Sequence, residues 1–493
     1  MDMGQRQAAT WNRASFLRTW AAWVEQRALW LLAALIIGYT LVYTAASIAK
    51  YNAYAMGFDL ALYEQQIWNT AHGRWFETSV FSFTNNALGV DLQLIEAPLA
   101  LAYALAPSVF TLLFLQSAAL ALGALPLFLL ARERLGYAWA GLGLAFAYLF
   151  YPVVTNTNLY ELRLRSFAVT PFFMALYFLE TKRAGWFYVA LLLALACRTD
   201  IGLLVAMLGV YALWRRMAWR FWLVPLAAGI AWVGLSVFVI VPRLSSGSPY
   251  LFTSIYYNLG STPSEIAQTM FTRPIFVLQQ VATPGKFEYL NGLFAPVAYT
   301  VLLNPPALLI AAPTLALNLL SPSRLHWDLV HGYSILVTPF VFYGTTQGLR
   351  WLRARAPFAF LRGATGLALL VGVVALAAVM CNLWWGNAAA RWLMHPPSPR
   401  VALARGIASQ IPADAPLAAS NLVAPILPPR RYLYYFPGNQ SYGASNLKLA
   451  AYLLVDQTSA NDEFRAALDA LRHDPQWRVL VERDNFTLMQ RIE

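Results

Sequence analysis

Apolar residues run along this chain in blocks and do not alternate with polar ones. Leu29 to Ile48, Phe110 to Leu130 and Ala364 to Met380 contain no charged residue. A helix needs about 20 such residues to cross a hydrocarbon core roughly 30 Å thick. The pattern predicts about eleven transmembrane helices, near 29–49, 108–131, 138–154, 166–180, 186–198, 200–214, 221–241, 291–304, 306–320, 334–349 and 364–385. Within the connection 50–107, FDLALYEQQIWNTAHG puts Phe58, Leu62 and Ile67 on one stripe, which predicts a helix lying in the interface plane. Beyond about residue 386 the pattern turns polar, with strand-like runs PLAAS, YLLVD, WRVLVE and FTLMQ around a helix-like stretch, 461–473. The expected fold class is an all-α polytopic membrane domain with a small C-terminal α/β domain. Its divisions are an N-terminal segment 1–28, a multispan domain 29–385 and the C-terminal domain 386–493.

Composition strengthens the membrane reading. Hydrophobic residues make up 59% of the chain and charged residues only 12%, against about 25% charged in soluble domains. Trp20, Trp23, Trp30, Trp384 and Trp385 cluster near block ends, where an interfacial belt would lie. The net charge of +12 does not point to nucleic acid, because the basic residues sit in short clusters between apolar blocks. Alternate connections carry Arg6, Arg13, Arg18 and Arg27, then Arg132 and Arg134, Lys182 and Arg183, Arg215, Arg216 and Arg220, and Arg350 to Arg362. That regularity places the N-terminus in the cytoplasm, and an odd number of spans places the C-terminal domain outside. Cys197 and Cys381 form no disulfide framework or metal motif.

The outer connections then hold the chemistry. Asp59, at the start of the interfacial helix, suits a base toward an acceptor hydroxyl or a holder of a divalent cation against phosphate, and equally a helix N-cap. Glu161 adjoins Arg163 and Arg165. Their forked guanidinium groups fit phosphate oxygens, or else contact lipid headgroups by snorkelling. Arg198 and Asp200 interrupt an apolar stretch, either as a buried ion pair or as an anion-binding arginine oriented by its acid. His326, Asp328 and His331 have metal-ligand types on one loop, although loop hydrogen bonding accounts for them as well.

FDLALYEQQIWNTAHGRWFE and APLALAYALAPSVFTLLFLQSAALALGALPLFLLARERLG resemble the bacterial membrane proteins called domain of unknown function 2079. LALACRTDIGLL, NPPALLIAAPTLALNLLS, HGYSILVTPFVFYG and IPADAPLAASNLVAPILPPRRYLYYFP extend the resemblance over nearly the whole chain. That family is similar in layout to the GT-C glycosyltransferases, which use polyprenyl-phosphate sugars as donors. The resemblance implies a catalytic acid at Asp59, a second acid at Glu161, and donor-phosphate binding by Arg163, Arg165 and Arg198, with Asp200 orienting Arg198. His331 and Tyr333, in the HGYS motif, join the substrate-binding candidates. Many relatives have a histidine motif where this chain reads GVDLQLIEAP, and a His-Pro-Glu-like motif where it reads NLYELRLRS. The departure implies altered specificity or an inactive copy.

The expected function is transfer of a sugar from a lipid-linked donor to a lipid, glycan or protein acceptor at the outer face of a bacterial inner membrane. A divalent cation (Mg or Mn) is the one cofactor this chemistry would call for. Membrane lipids are expected partners and nucleic acid is not. Two competing classes are a transporter or flippase, which would need charge at mid-membrane and usually a repeat, and a silent subunit of a membrane protein complex.

Overall fold

The computed structural model describes residues 13–246, 255–355, 358–386, 389–439, 443–444 and 446–492, with side chains from residue 22 onward. Arg6 and residues 247–254 lie outside the described residues. Among the described residues, four helices are long and apolar enough to cross a membrane: Ala22–Asn52, Val109–Leu135, Trp219–Leu244 and Ala364–Trp385. Ala138–Leu149 and Pro152–Tyr160 make a fifth if the pair, bent by 44°, is one span. Proline at the bend supplies no N–H and crowds the preceding turn. Val169–Glu180, Ala184–Leu195, Ile201–Trp214 and Pro305–Leu320 are apolar helices of 12 to 16 residues. They match sequence blocks in position but are shorter than a perpendicular crossing needs. The expected span at 291–304 does not form. The helix Pro284–Phe294 ends there in two single turns, with Ala298 and Tyr299 both left-handed.

The C-terminal domain packs against the end of the first helix and the connection after it. Its helix Pro399–Ala408 follows a tie from Ser398 N–H to the Asn52 carbonyl (2.8 Å). Its five-stranded sheet runs in the order Leu433–Tyr435, Leu417–Ala419, Tyr452–Asp456, Phe486–Arg491, Trp477–Arg483. The first three strands are mutually parallel and the last two form an antiparallel hairpin. Asp484 and Asn485 turn that hairpin with positive φ at both residues, the geometry that matches strand twist. Helix Asp462–Arg472, capped by Asn461, buries Phe464 and Leu468 on the sheet.

The helix Phe58–Ala71 forms as expected, but it does not lie exposed in the interface. Glu64, Gln65, Gln66, Asn69 and Thr70 are all buried. The polar face meets the C-terminal domain in place of water. Gln65 Nε2 donates to Ser79 Oγ (2.7 Å) and to the Arg431 carbonyl (2.8 Å), and Ser79 Oγ donates to the Leu433 carbonyl (2.7 Å). Arg431 also pairs with Glu77 (2.7 Å). A polar stripe is equally well satisfied by a second protein layer, which is why its periodicity did not separate the two cases.

Glu64 accepts the Tyr103 hydroxyl (3.0 Å), and burial pushes its carboxyl up from the ordinary 4.5 to about 7. The folded chain therefore holds this proton more tightly than the unfolded chain. The stabilisation is whole below about pH 4.5 and is lost as pH rises through about 7, amounting to about 3 kcal/mol. Melting temperatures of wild type and Glu64→Gln, compared from pH 4.5 to 8, are expected to diverge as pH rises, with the wild type falling relative to the variant. A constant difference would remove Glu64 as the titrating group.

Candidate active site

The segment 159–166 is held rigidly by side chains from two long helices. Lys50, at the end of the first helix, donates to the carbonyls of Leu159 (2.8 Å) and Tyr160 (2.5 Å). Gln116 donates to the Glu161 carbonyl (2.8 Å) and accepts from Arg163 N–H (2.6 Å). An amide or ammonium group inside an apolar helix needs partners, and here the partners are backbone groups of an irregular loop. Sequence reasoning missed both residues. Each was visible as a long polar side chain in or at the end of an apolar block.

This loop presents Arg163 to Asp59. Arg163 Nη1 lies 2.6 Å from Asp59 Oδ2, with the guanidinium also 4.6 Å from the Tyr160 ring. The N-cap reading of Asp59 does not hold: the cap is Gly57, and Asp59 sits inside the first turn. Glu161 points the other way, accepting Gly57 N–H at 3.2 Å, so it is a holder of the helix start and not a second acid facing the cavity. Burial, and then the Asp59 charge, push its carboxyl up to about 7. Asn421, from the C-terminal domain, accepts Phe58 N–H (2.8 Å). A Cβ on Gly57 would come within 2.5 Å of Glu161 Oε1 and 3.1 Å of Asn421 Oδ1. Gly57→Ala is therefore expected to shift this helix start and lower stability by about 1–3 kcal/mol, the usual cost of overpacking. A wild-type melting temperature would show that the helix start is tolerant.

Arg198 is held by two acids, Asp91 (3.0 Å) and the expected Asp200 (3.1 Å). Asp91 was not singled out. It lies in GVDLQLIEAP, and its other oxygen accepts Thr199 N–H (3.1 Å). Arg165 differs from both neighbours. It is 7% exposed and stacks 4.6 Å from the Tyr333 ring, and among the described residues no carboxylate pairs with it. Burial and the Arg198 charge both work against its cationic form. The arginines thus line a protein interior, and the snorkelling alternative fails.

Two cavities meet at these groups. One, of about 220 Å³, is lined by Asp59, Tyr63, Gln66, Arg163 and His331. The other, of about 310 Å³, is lined mostly by apolar side chains, among them Ile255, Ile266, Met270 and Leu317. Arg165, Arg198 and Tyr333 belong to both walls. Helices Pro263–Thr272 and Pro274–Val281 beside the apolar cavity carry exposed Phe271, Ile275 and Leu278.

The histidine loop does not make a metal centre. His326 bonds Ser321 Oγ (2.6 Å), and burial followed by Arg165 lowers its pKa to about 4, so it is neutral. His331 bonds Asp328, whose other oxygen accepts the N–H groups of Val330 (2.9 Å) and His331 (3.0 Å). Among the described residues no three His, Cys, Asp or Glu side chains gather as ligands. Gly332, at φ +78°, turns the chain between His331 and Tyr333, and a Cβ there would press on Thr157 (3.1 Å) and Arg163 (3.3 Å).

A family model described as "Predicted membrane protein (DUF2079)" matches residues 50–488. The chain belongs to this family. Among solved structures, this DUF2079 protein is similar to ArnT from Cupriavidus metallidurans bound to undecaprenyl phosphate. The TM-score is 0.55 at 16% identity, over 93% of this chain and 97% of that one. The apo state of the same ArnT gives a TM-score of 0.50 at 14% identity, covering 92% and 98%. At such identities the likeness is one of fold, and the GT-C-like architecture implied by the sequence resemblance is borne out. A comparison with curated proteins gives no match.

Proposed function

We propose that this DUF2079 protein is a glycosyltransferase that takes a sugar from a polyprenyl-phosphate donor. The observation that carries the reading is Arg165, a buried cation with which no carboxylate pairs among the described residues, standing in the shared wall of a polar and an apolar cavity. A buried charge that only the more distant Asp200 offsets is expensive, and a phosphate at that wall would pair with it. The donor's phosphate would sit among Arg163, Arg165 and Arg198, its isoprenoid tail in the apolar cavity, and its sugar toward Asp59. The binding of undecaprenyl phosphate by ArnT, a protein of the same fold, supports a lipid-linked ligand.

In the free protein the Asp59 carboxylate is bound by Arg163. Phosphate oxygens compete for that guanidinium and release Asp59, which then accepts the proton of an acceptor hydroxyl. The acceptor oxygen forms its bond to the anomeric carbon as the carbon–oxygen bond to phosphate breaks, and the electron pair leaves on the lipid phosphate. Approach opposite the leaving group inverts the anomeric centre. The Asp59 surroundings do not fit a divalent cation held by protein alone, because Glu161 faces Gly57 and Asp59 faces Arg163. The reading places the site at the outer membrane face, with the N-terminus cytoplasmic and the C-terminal domain outside.

The test uses purified protein in nanodiscs with undecaprenyl phosphate and, as control, phosphatidylglycerol. Undecaprenyl phosphate is expected to raise the melting temperature and phosphatidylglycerol is not. Equal responses to both lipids would sink the donor assignment.

A further inference from the structure

We propose that a crevice in the C-terminal domain binds a sugar unit of the acceptor. This deepens the glycosyltransferase reading and rests on it for the word acceptor, although the binding itself does not. The central strand Leu417–Ala419 is followed by Leu433–Tyr435 on one side and then by Tyr452–Asp456 on the other, all parallel. In open α/β sheets, ligands bind outside the carboxyl ends of the strands where the order reverses in this way. A cavity of about 320 Å³ lies at that place, lined by Ser420, Asn421, Asp456, Ser459 and Glu463, with Tyr435 and Phe436 supplying apolar surface.

The lining selects the ligand class. Neither Lys nor Arg is among the described lining residues, and although Arg400 balances Asp456 from behind, Glu463 adds a negative charge, so a phosphate or carboxylate is disfavoured. Asp456 is fixed in place by Arg400 (2.6 Å) and by Thr458 N–H (2.8 Å) and Oγ1 (2.6 Å). Oriented acceptors beside aromatic surface suit a neutral, hydroxyl-rich ring. The volume lies near the low end of small-molecule sites, roughly 300–1,000 Å³, which fits one sugar better than a lipid tail.

The crevice also touches the transfer site. Asn421 in its wall accepts Phe58 N–H (2.8 Å), and the Tyr435 ring lies 4.7 Å from that of Phe58, the residue before Asp59. A glycan anchored there is held beside the helix that carries the base.

The experiment is saturation-transfer NMR on the full chain in nanodiscs with D-glucose, D-galactose, D-mannose and maltotriose as probes. At least one is expected to bind the wild type and, equally, Asp59→Asn. Binding is expected to vanish in Ala460→Trp, which fills the crevice, and to weaken at least fivefold in Glu463→Gln, a change at an exposed residue. Maltotriose binding tenfold tighter than the monosaccharides identifies a glycan chain as the source; equal affinities identify a single ring. No binding by any of the four, or binding untouched by both crevice variants, overturns the proposal. Loss of undecaprenyl phosphate binding with sugar binding intact would instead count against the donor reading alone.

Discussion

Replacing Asp59 with Asn is expected to lower sugar transfer by about 10²–10⁴-fold, the usual range for a general base, in a protein that still folds. Asparagine keeps the shape of the side chain, and its oxygen can still accept a bond from Arg163 Nη1, now 2.6 Å from Asp59 Oδ2. Two other ties to the helix start, Glu161 on Gly57 N–H and Asn421 on Phe58 N–H, are untouched. What disappears is the capacity to take a proton. Because the carboxylate no longer competes for Arg163, undecaprenyl phosphate is expected to bind the variant as tightly as wild type or more so. The measurement is turnover alongside lipid affinity and melting temperature. Wild-type turnover would remove Asp59 from the chemistry, whereas loss of all three quantities would make its role one of folding.

Replacing Arg165 with Met separates binding from stability in the opposite sense. Charge-assisted hydrogen bonds are worth about 1.5–3 kcal/mol, so undecaprenyl phosphate affinity should fall roughly 10–100-fold. The free protein loses a buried cation that has no carboxylate partner among the described residues, and keeps an apolar side chain against Tyr333. Its stability should hold or rise by about 1 kcal/mol. Arg165→Lys restores the charge without the fork and should recover part of the affinity. Arg198→Met should behave differently, because it strands Asp91 and Asp200 together and destabilises the chain. If Arg165→Met bound the lipid like wild type, the phosphate site would have to be placed elsewhere.

The sequence made some of this legible and hid the rest for physical reasons. Apolar blocks and strand alternation are local signals. Four of the five main sheet strands and the helix Asp462–Arg472 lie where the tail pattern put them. Leu433–Tyr435 escaped because three residues among prolines and arginines carry no periodicity. Asp59, Arg163, Arg165, Arg198, Asp200, His331 and Tyr333 do converge on adjoining cavities. Glu161 is the exception: its residue type fitted catalysis, but its direction depends on how a loop packs against Gly57. Lys50, Gln116 and Asp91 act on groups about 40 to 110 residues away. Such pairings are set by the fold and leave no mark on the residues next to them.

The bond between Phe58 and Asn421 joins positions 363 residues apart. A ribosome makes the helix start long before the asparagine, with the membrane helices in between. Until the C-terminal domain has folded onto them, the helix start lacks one of its ties. The order of synthesis therefore sets the order of assembly, and this corner of the molecule takes its final form only after the helices before it.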